Sequence, residues 1–233
     1  MKRPITTLFM LESLDGKISS GNDDSLDVDK DWCKIRGVKE GLHQYYEIEQ
    51  TTDLFSLNTG RVMAKIGVNE RKELPNKSPV SFVIIDNKPH LNATGINYLC
   101  SWLKELILVT INPDHVAFQM KEQHPNLTIL QYSNFDPQKL FRDLYEKHHI
   151  EHLTIQSGGN FNALLLRENL IDYVHIIIAP LLVGGRETST LIDGESITTI
   201  SDLHKLRPLK LIECNSLRNS FIEVKYRILN ENI

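Results

Sequence analysis

Between Glu12 and Ser19 the chain sets two acids, a base, two hydroxyls and a glycine side by side: Glu12-Ser13-Leu14-Asp15-Gly16-Lys17-Ile18-Ser19. Asp-Gly readily takes the corner of a turn, so one reading is a surface turn with Lys17 in solvent. The other is a strand end that presents Asp15 and Lys17 to a substrate, with Ser13 beside them. A second group is Ser157-Gly158-Gly159-Asn160, lying between an apolar stretch and the helix-like run Ala163 to Arg167. Glycine lets a ligand approach the backbone closely. A helix that starts there aims unpaired N–H groups and partial positive charge into the gap, which suits a phosphate. A tight strand-to-helix turn without a ligand is the alternative. The full dinucleotide fingerprint needs three spaced glycines and a later acid, and this stretch lacks it. A third group is Asn58-Thr59-Gly60-Arg61 ahead of helical Val62 to Lys65. Arg61 with Gly60 can hold a phosphate through guanidinium and N–H groups. Equally, Asn58 or Thr59 caps a helix and Arg61 lies on the surface.

Other groups read more plainly. His148-His149-Ile150-Glu151-His152 has metal-like composition. It lies where a helix gives way to a strand, so His148 and His152 share a face only if the helix continues, and no metal site is expected. Asp27, Asp29 and Asp31 precede a helix and suit its positive end, with Asp31 held as a reserve substrate ligand. Trp32 and Trp102 are expected in the core.

These groups need elements to position them. Strand-like segments recur at Ile5–Leu11, at the short Asp53–Leu57, and at Val80–Ile85, Leu106–Ile111, Leu127–Leu130, Leu153–Ile155 and Tyr173–Ala179. Continuous apolar runs of this length predict strands covered on both faces. Helices are expected at Trp32–Glu49, from a Thr94 cap to Leu103, at Pro137–His148, and at Asn160–Asn169 with Asn160 as N-cap. Lys210–Glu213 and Phe221–Ile228 flank a turn-like segment and read as a hairpin. The expected fold class is α/β, a central mostly parallel sheet flanked by helices with an antiparallel C-terminal hairpin. Ligands of such sheets bind outside the carboxyl ends of the strands, where all three groups fall.

The 233 residues, with a net charge of −4 and 24% charged residues, suit one compact domain spanning 1–233. No basic excess favours nucleic acid. No apolar run reaches the roughly 18 residues of a membrane span, and no signal peptide is expected. Cys33, Cys100 and Cys214 are odd in number and far apart, which reads as reduced thiols in a cytoplasmic protein.

The segments "SLDGKIS", "NTGR" and "QSGGNFNALLLRENLIDYVHIIIAPLLVGG" stand in an order that resembles the reductase domain of bacterial riboflavin biosynthesis, a member of the dihydrofolate-reductase-like fold family. The resemblance covers nearly the whole chain and is most specific from Gln156 to Gly185. It implies an NADPH-dependent reductase of 5-amino-6-(5-phosphoribosylamino)uracil. It places Gly158 and Gly159, with Asn160, at the cofactor pyrophosphate. Thr59, Gly60 and Arg61 fall on the 2′-phosphoadenosine side, Asp15 and Lys17 beside nicotinamide and substrate, and Ser13 and Ser157 on the substrate side. It also favours a homodimer, for which the apolar, edge-like closing hairpin Leu209 to Leu229 is the expected interface. Two departures stand out. Ser157 occupies the place of the acid in the family's usual Glu-Gly-Gly, and Met63 that of a threonine common in dihydrofolate reductases. The signatures of the zinc deaminase often fused to this reductase are missing. Two alternatives remain: a reductase of another heterocycle such as dihydrofolate, and a non-catalytic NADPH-binding protein.

Overall fold

The computed structural model describes residues 2–73 and 75–229. Its strands, in chain order, are β1 (Ile5–Ser13), β2 (Phe55–Thr59), β3 (Ser81–Ile85), β4 (Leu106–Thr110), β5 (Leu127–Gln131), β6 (His152–Ile155), β7 (Tyr173–Ala179), β8 (Leu209–Ser216) and β9 (Ile222–Ile228). Its α-helices are α1 (Val28–Asp31), α2 (His43–Glu49), α3 (Gly60–Lys65), α4 (Ala93–Trp102), α5 (Ala117–Met120), α6 (Pro137–His148) and α7 (Gly159–Arg167). The chain divides into two compact units. One holds residues 2–4 and Asp53–Ser157, the other Ile5–Thr52 and Gly158 onward.

In the first unit five parallel strands run in the order β5-β4-β3-β2-β6. Every residue of β4 is buried, as expected of a parallel strand covered on both faces. One core forms around Ile84, Leu106, Leu108, Ile96 and Leu99. Helix α4 starts two residues earlier than a Thr94 cap would set it. Asn92 is its N-cap and accepts the Gly95 N–H at 2.9 Å. Helix α6 matches its sequence signals: Asp136 caps it, Pro137 opens it, and Leu140, Phe141 and Leu144 are buried. His149 ends it in the left-handed conformation at φ 54°, so the helix does not carry His148 and His152 onto a shared face.

In the second unit β1 and β7 pair in parallel, while β9 joins β7 and β8 joins β9 antiparallel. The expected mostly parallel sheet with an antiparallel closing hairpin is the observed topology. Phe9 and Leu11 of β1, Ile177 and Ala179 of β7, Phe221 and fully buried Trp32 build the core on one face. The helix expected over Trp32–Glu49 is broken. A single 3₁₀ turn covers Trp32–Lys34, and α2 begins only at His43. Gly37 at φ 90° interrupts the run, a backbone angle that ends a right-handed helix. Asp27 is the cap of α1, accepting the Asp29 N–H at 3.0 Å. Asp31 accepts the Asp27 N–H at 2.8 Å and pairs with Lys34.

Candidate active site

In the second unit the residues after β1 close a tight loop. The Ser13 N–H donates to the Lys17 carbonyl at 2.9 Å, and the Lys17 N–H donates to Ser13 Oγ at 3.0 Å. Gly16 turns the corner at φ 75°, an angle glycine adopts without strain. Asp15 is the clamp of this loop. It accepts the Ser13 hydroxyl at 2.5 Å, the Val183 N–H at 3.0 Å and the Gly184 N–H at 2.7 Å. Those bonds, led by Ser13, hold its carboxyl down at about 2, so it is ionised at any working pH. Both Asp15 oxygens are taken up in holding backbone.

Lys17 differs from a surface turn lysine. It is only 9% exposed, and its Nζ donates to the Thr188 carbonyl at 2.8 Å. It forms no ion pair among the described residues. A buried ammonium with one neutral acceptor is expensive to desolvate, and two of its three donors remain for other acceptors. Glu12 lies on the opposite face of β1 from Leu11 and Ser13, because strand side chains alternate. Burial there pushes its carboxyl up to about 7.

A strap from Leu181 to Gly194 runs along this loop. Leu14 N–H donates to the Leu181 carbonyl at 2.9 Å, Ile18 N–H to Ser189 at 3.0 Å, and Leu191 N–H to the Gly16 carbonyl at 3.2 Å. The strap then meets α7. The Asp193 N–H donates to the Gly159 carbonyl at 3.0 Å, and Asn162 Nδ2 donates to the Leu191 carbonyl at 2.9 Å. This approach explains Gly159, since a Cβ there would collide with the Thr190 carbonyl and the Asp193 carboxylate. Gly158 has no such neighbour: a Cβ there would meet nothing within 4 Å. Gly158, rather than Asn160, is the N-cap, and no side chain caps α7. The carbonyl of Gly158 accepts the Phe161 and Asn162 N–H groups. The N–H groups of Gly159 and Asn160 donate to no protein acceptor among the described residues. The strap therefore joins Ser13, Asp15 and Lys17 to Gly159 and the helix start, within one unit.

In the first unit Thr59 caps α3, accepting the Val62 N–H at 3.4 Å. Gly60 is buried, and a Cβ on it would strike the Asp86 carboxylate. Arg61 is exposed in the first turn. Asp86, at the end of β3, is the hub here. It accepts the His90 N–H at 3.0 Å, the Leu91 N–H at 2.9 Å, His115 Nε2 at 3.1 Å and His90 Nδ1 at 3.1 Å. His115 Nδ1 accepts the Ala117 N–H at 3.1 Å, so its Nε2 carries the proton given to Asp86. Burial alone would raise the Asp86 carboxyl, but these donors, His115 first, outweigh it and hold it below the ordinary range. Ser157 is buried at the end of β6. Beside it in sequence, the Gln156 carbonyl oxygen Oε1 accepts Ser56 Oγ at 2.9 Å, and Ser56 Oγ accepts Asn58 Nδ2 at 3.0 Å.

Asp86, Thr188, Thr190 and Asp193 were not singled out from the sequence. Asp86 carried a signal, an acid directly after the apolar run Val80 to Ile85, and Asp193-Gly194 is a turn dipeptide.

Residues 4–221 match the RibD C-terminal domain family. A 2,5-diamino-6-ribosylamino-4(3H)-pyrimidinone 5′-phosphate reductase of Methanothermobacter thermautotrophicus is 28% identical over 213 residues, 88% of this chain and 90% of the relative. One of the same name from Archaeoglobus fulgidus is 23% identical over 88% of this chain and 93% of its own. Among solved structures, Acinetobacter baumannii RibD superposes with a TM-score of 0.67 at 14% identity, covering 97% of this chain, which spans 58% of that protein's length. The Saccharomyces riboflavin biosynthesis reductase superposes with a TM-score of 0.60 at 18% identity, covering 97% of this chain and 90% of its own. With its match running from the residue before β1 to the residue before β9, this chain belongs to the RibD C-terminal domain family.

Proposed function

We propose that the chain is an NADPH-dependent oxidoreductase of riboflavin biosynthesis, residues 1–233 acting as one reductase domain on a 6-ribosylaminopyrimidine 5′-phosphate. The observation that carries this reading is the buried Lys17 ammonium on the loop that the family motif "SLDGKI" forms. Two archaeal relatives, each covering most of this chain, are named for reduction of the 2,5-diaminopyrimidinone form. The uracil form differs from it on the ring and shares the ribosylamino phosphate.

NADPH would supply the hydride that the ribosyl imine carbon accepts. The chain's own residues have simpler tasks. The Gly159 and Asn160 N–H groups, without a protein acceptor among the described residues, and the open space at Gly158 suit phosphate oxygens. Thr59, Gly60 and Arg61 serve the 2′-phosphate side. Lys17 offers its remaining donors to substrate oxygens or phosphate, and Ser13 and Asp15 keep it in place. Ser157 offers the substrate side a neutral hydroxyl where the family has an acid, which leaves room for a different heterocycle. Nothing in the chain has to act as a covalent nucleophile; holding donor and acceptor carbons close and dry is what such hydride transfer needs. Consumption of NADPH with each ribosylaminopyrimidine phosphate tests the activity itself. For the cofactor, Arg61→Ala should weaken NADPH by tenfold or more, through loss of a charge-assisted contact worth roughly 1.5–3 kcal/mol, and leave NADH nearly unchanged. Equal losses for the two cofactors in calorimetric titration would remove Arg61 from the 2′-phosphate.

The same reading includes a cytoplasmic homodimer. No helix among the described residues is long and apolar enough to cross a membrane. Strand β8 is an edge with Leu209, Leu211 and Ile212 exposed, and such edges tend to be paired or covered. Light scattering at micromolar concentration should give twice the chain mass of 26.8 kDa, and a monomer mass would refute the dimer.

A further inference from the structure

Two glycines that open helices, Gly60 and Gly159, each abut an acidic side chain. The two acids are engaged differently. Asp86, beside Gly60, spends both oxygens on His90, Leu91 and His115. Asp193, beside Gly159, spends one. Its Oδ1 accepts the Thr190 N–H at 3.0 Å and the Thr190 hydroxyl at 2.7 Å. Its Oδ2 is the oxygen turned onto Gly159, and it accepts no hydrogen bond from the described residues. A carboxylate oxygen thus stands over the first turn of α7, where two N–H groups have no acceptor among the described residues.

We infer that Asp193 limits the affinity of the α7 phosphate site: its carboxylate competes with the cofactor pyrophosphate for the first turn of α7. This rests on the reading that the phosphates bind at Gly158 to Asn160. The physics is that of one positive helix end and two anions. Without cofactor, Asp193 shares the favourable field of the helix start. With cofactor, a fixed negative charge in contact with Gly159 repels the incoming phosphates. The strap has turning points at both ends of this segment, Gly184 at φ 72°, Gly185 at φ 81° and Gly194 at φ 95°. Through them Asp193 can give way, and the bonds from Asp193 N–H to Gly159 and from Asn162 to Leu191 draw it back. A residue of this kind holds cofactor affinity low enough for the spent cofactor to leave.

The test is titration of NADPH into wild type, Asp193→Asn and Asn160→Asp by calorimetry at fixed pH and ionic strength. Asparagine keeps Oδ1 as acceptor for Thr190 and removes only the charge, and hydrogen exchange at Leu191 and Asp193 checks that the strap stays in place. Asp193→Asn should lower Kd by roughly tenfold, with the gain shrinking as salt rises. Asn160 is exposed, and Asn160→Asp adds a charge at the same turn, so it should raise Kd by a similar factor. If Asn160→Asp weakens NADPH while Asp193→Asn leaves it unchanged or weaker, the phosphates bind at α7 and the role of Asp193 is overturned. If Asn160→Asp has no effect, whatever Asp193→Asn does, the phosphates lie elsewhere, and both the inference and the site reading beneath it fall.

Discussion

Lys17→Met is expected to lower kcat by about two orders of magnitude, the scale set by removing one preorganised donor from a reaction centre, while Tm holds or rises. The two halves of this expectation have one cause. The lysine is 9% exposed and meets a single neutral acceptor, the Thr188 carbonyl at 2.8 Å. An ammonium there gives up water for a single neutral acceptor, in a hydrogen bond worth about 1.5–3 kcal/mol. Methionine keeps the length and the apolar stem without the charge. Loss of the ammonium therefore spares that desolvation and, in the proposed reading, removes a donor to the substrate, as functional residues often trade stability for activity. NADPH affinity should stay within a few-fold, because the proposed reading assigns the cofactor phosphates to other residues. Steady-state kinetics and a thermal melt on one preparation decide it. A variant with wild-type turnover would reduce the loop to a turn.

Asp86→Ala should destabilise the fold by about 3–5 kcal/mol, the usual scale for removing one partner from a buried charged network. Asp86 is 1% exposed. Its loss leaves the His90 and Leu91 N–H groups and His115 Nε2 without their acceptor, and the two buried donors, on Leu91 and His115, each cost about 1–3 kcal/mol when orphaned. Asp86→Asn keeps one acceptor oxygen and should lose less. The pH dependence follows from the direction of the shift. The folded carboxyl lies below its ordinary value. Its contribution is therefore present above the ordinary carboxylate range and lost as pH falls through the depressed folded value. Urea melts across acid pH should show wild type losing stability in that interval and Asp86→Ala lacking that part of the slope. A loss below about 1 kcal/mol for the alanine variant would mean the network carries little.

Much of this was legible because it is local. Apolar runs marked β3 and β4, since a parallel strand covered on both faces is apolar throughout. Asp136-Pro137 marked the start of α6, and Ser13 to Ser19 and Ser157 to Asn160 marked strand ends through turn residues of fixed spacing. Where local signals competed, the sequence misled. Trp32–Glu49 has helical composition, yet Gly37 breaks it, and Asn160 is a good cap residue, yet the Gly158 backbone caps α7. What the tertiary structure alone decided lies far apart in the chain. Lys17 meets the carbonyl of a residue 171 positions away. That contact buries its charge and changes it from a surface turn residue into a candidate catalytic one. Gly159 needs to be glycine within the fold because the strap brings Thr190 and Asp193 onto it, whereas Gly158 has open space. Asp86 is bound by a histidine 29 positions on. Turn chemistry is written in adjacent residues, but burial and the pairing of charges are set by which distant segment folds onto them, and no local pattern encodes that.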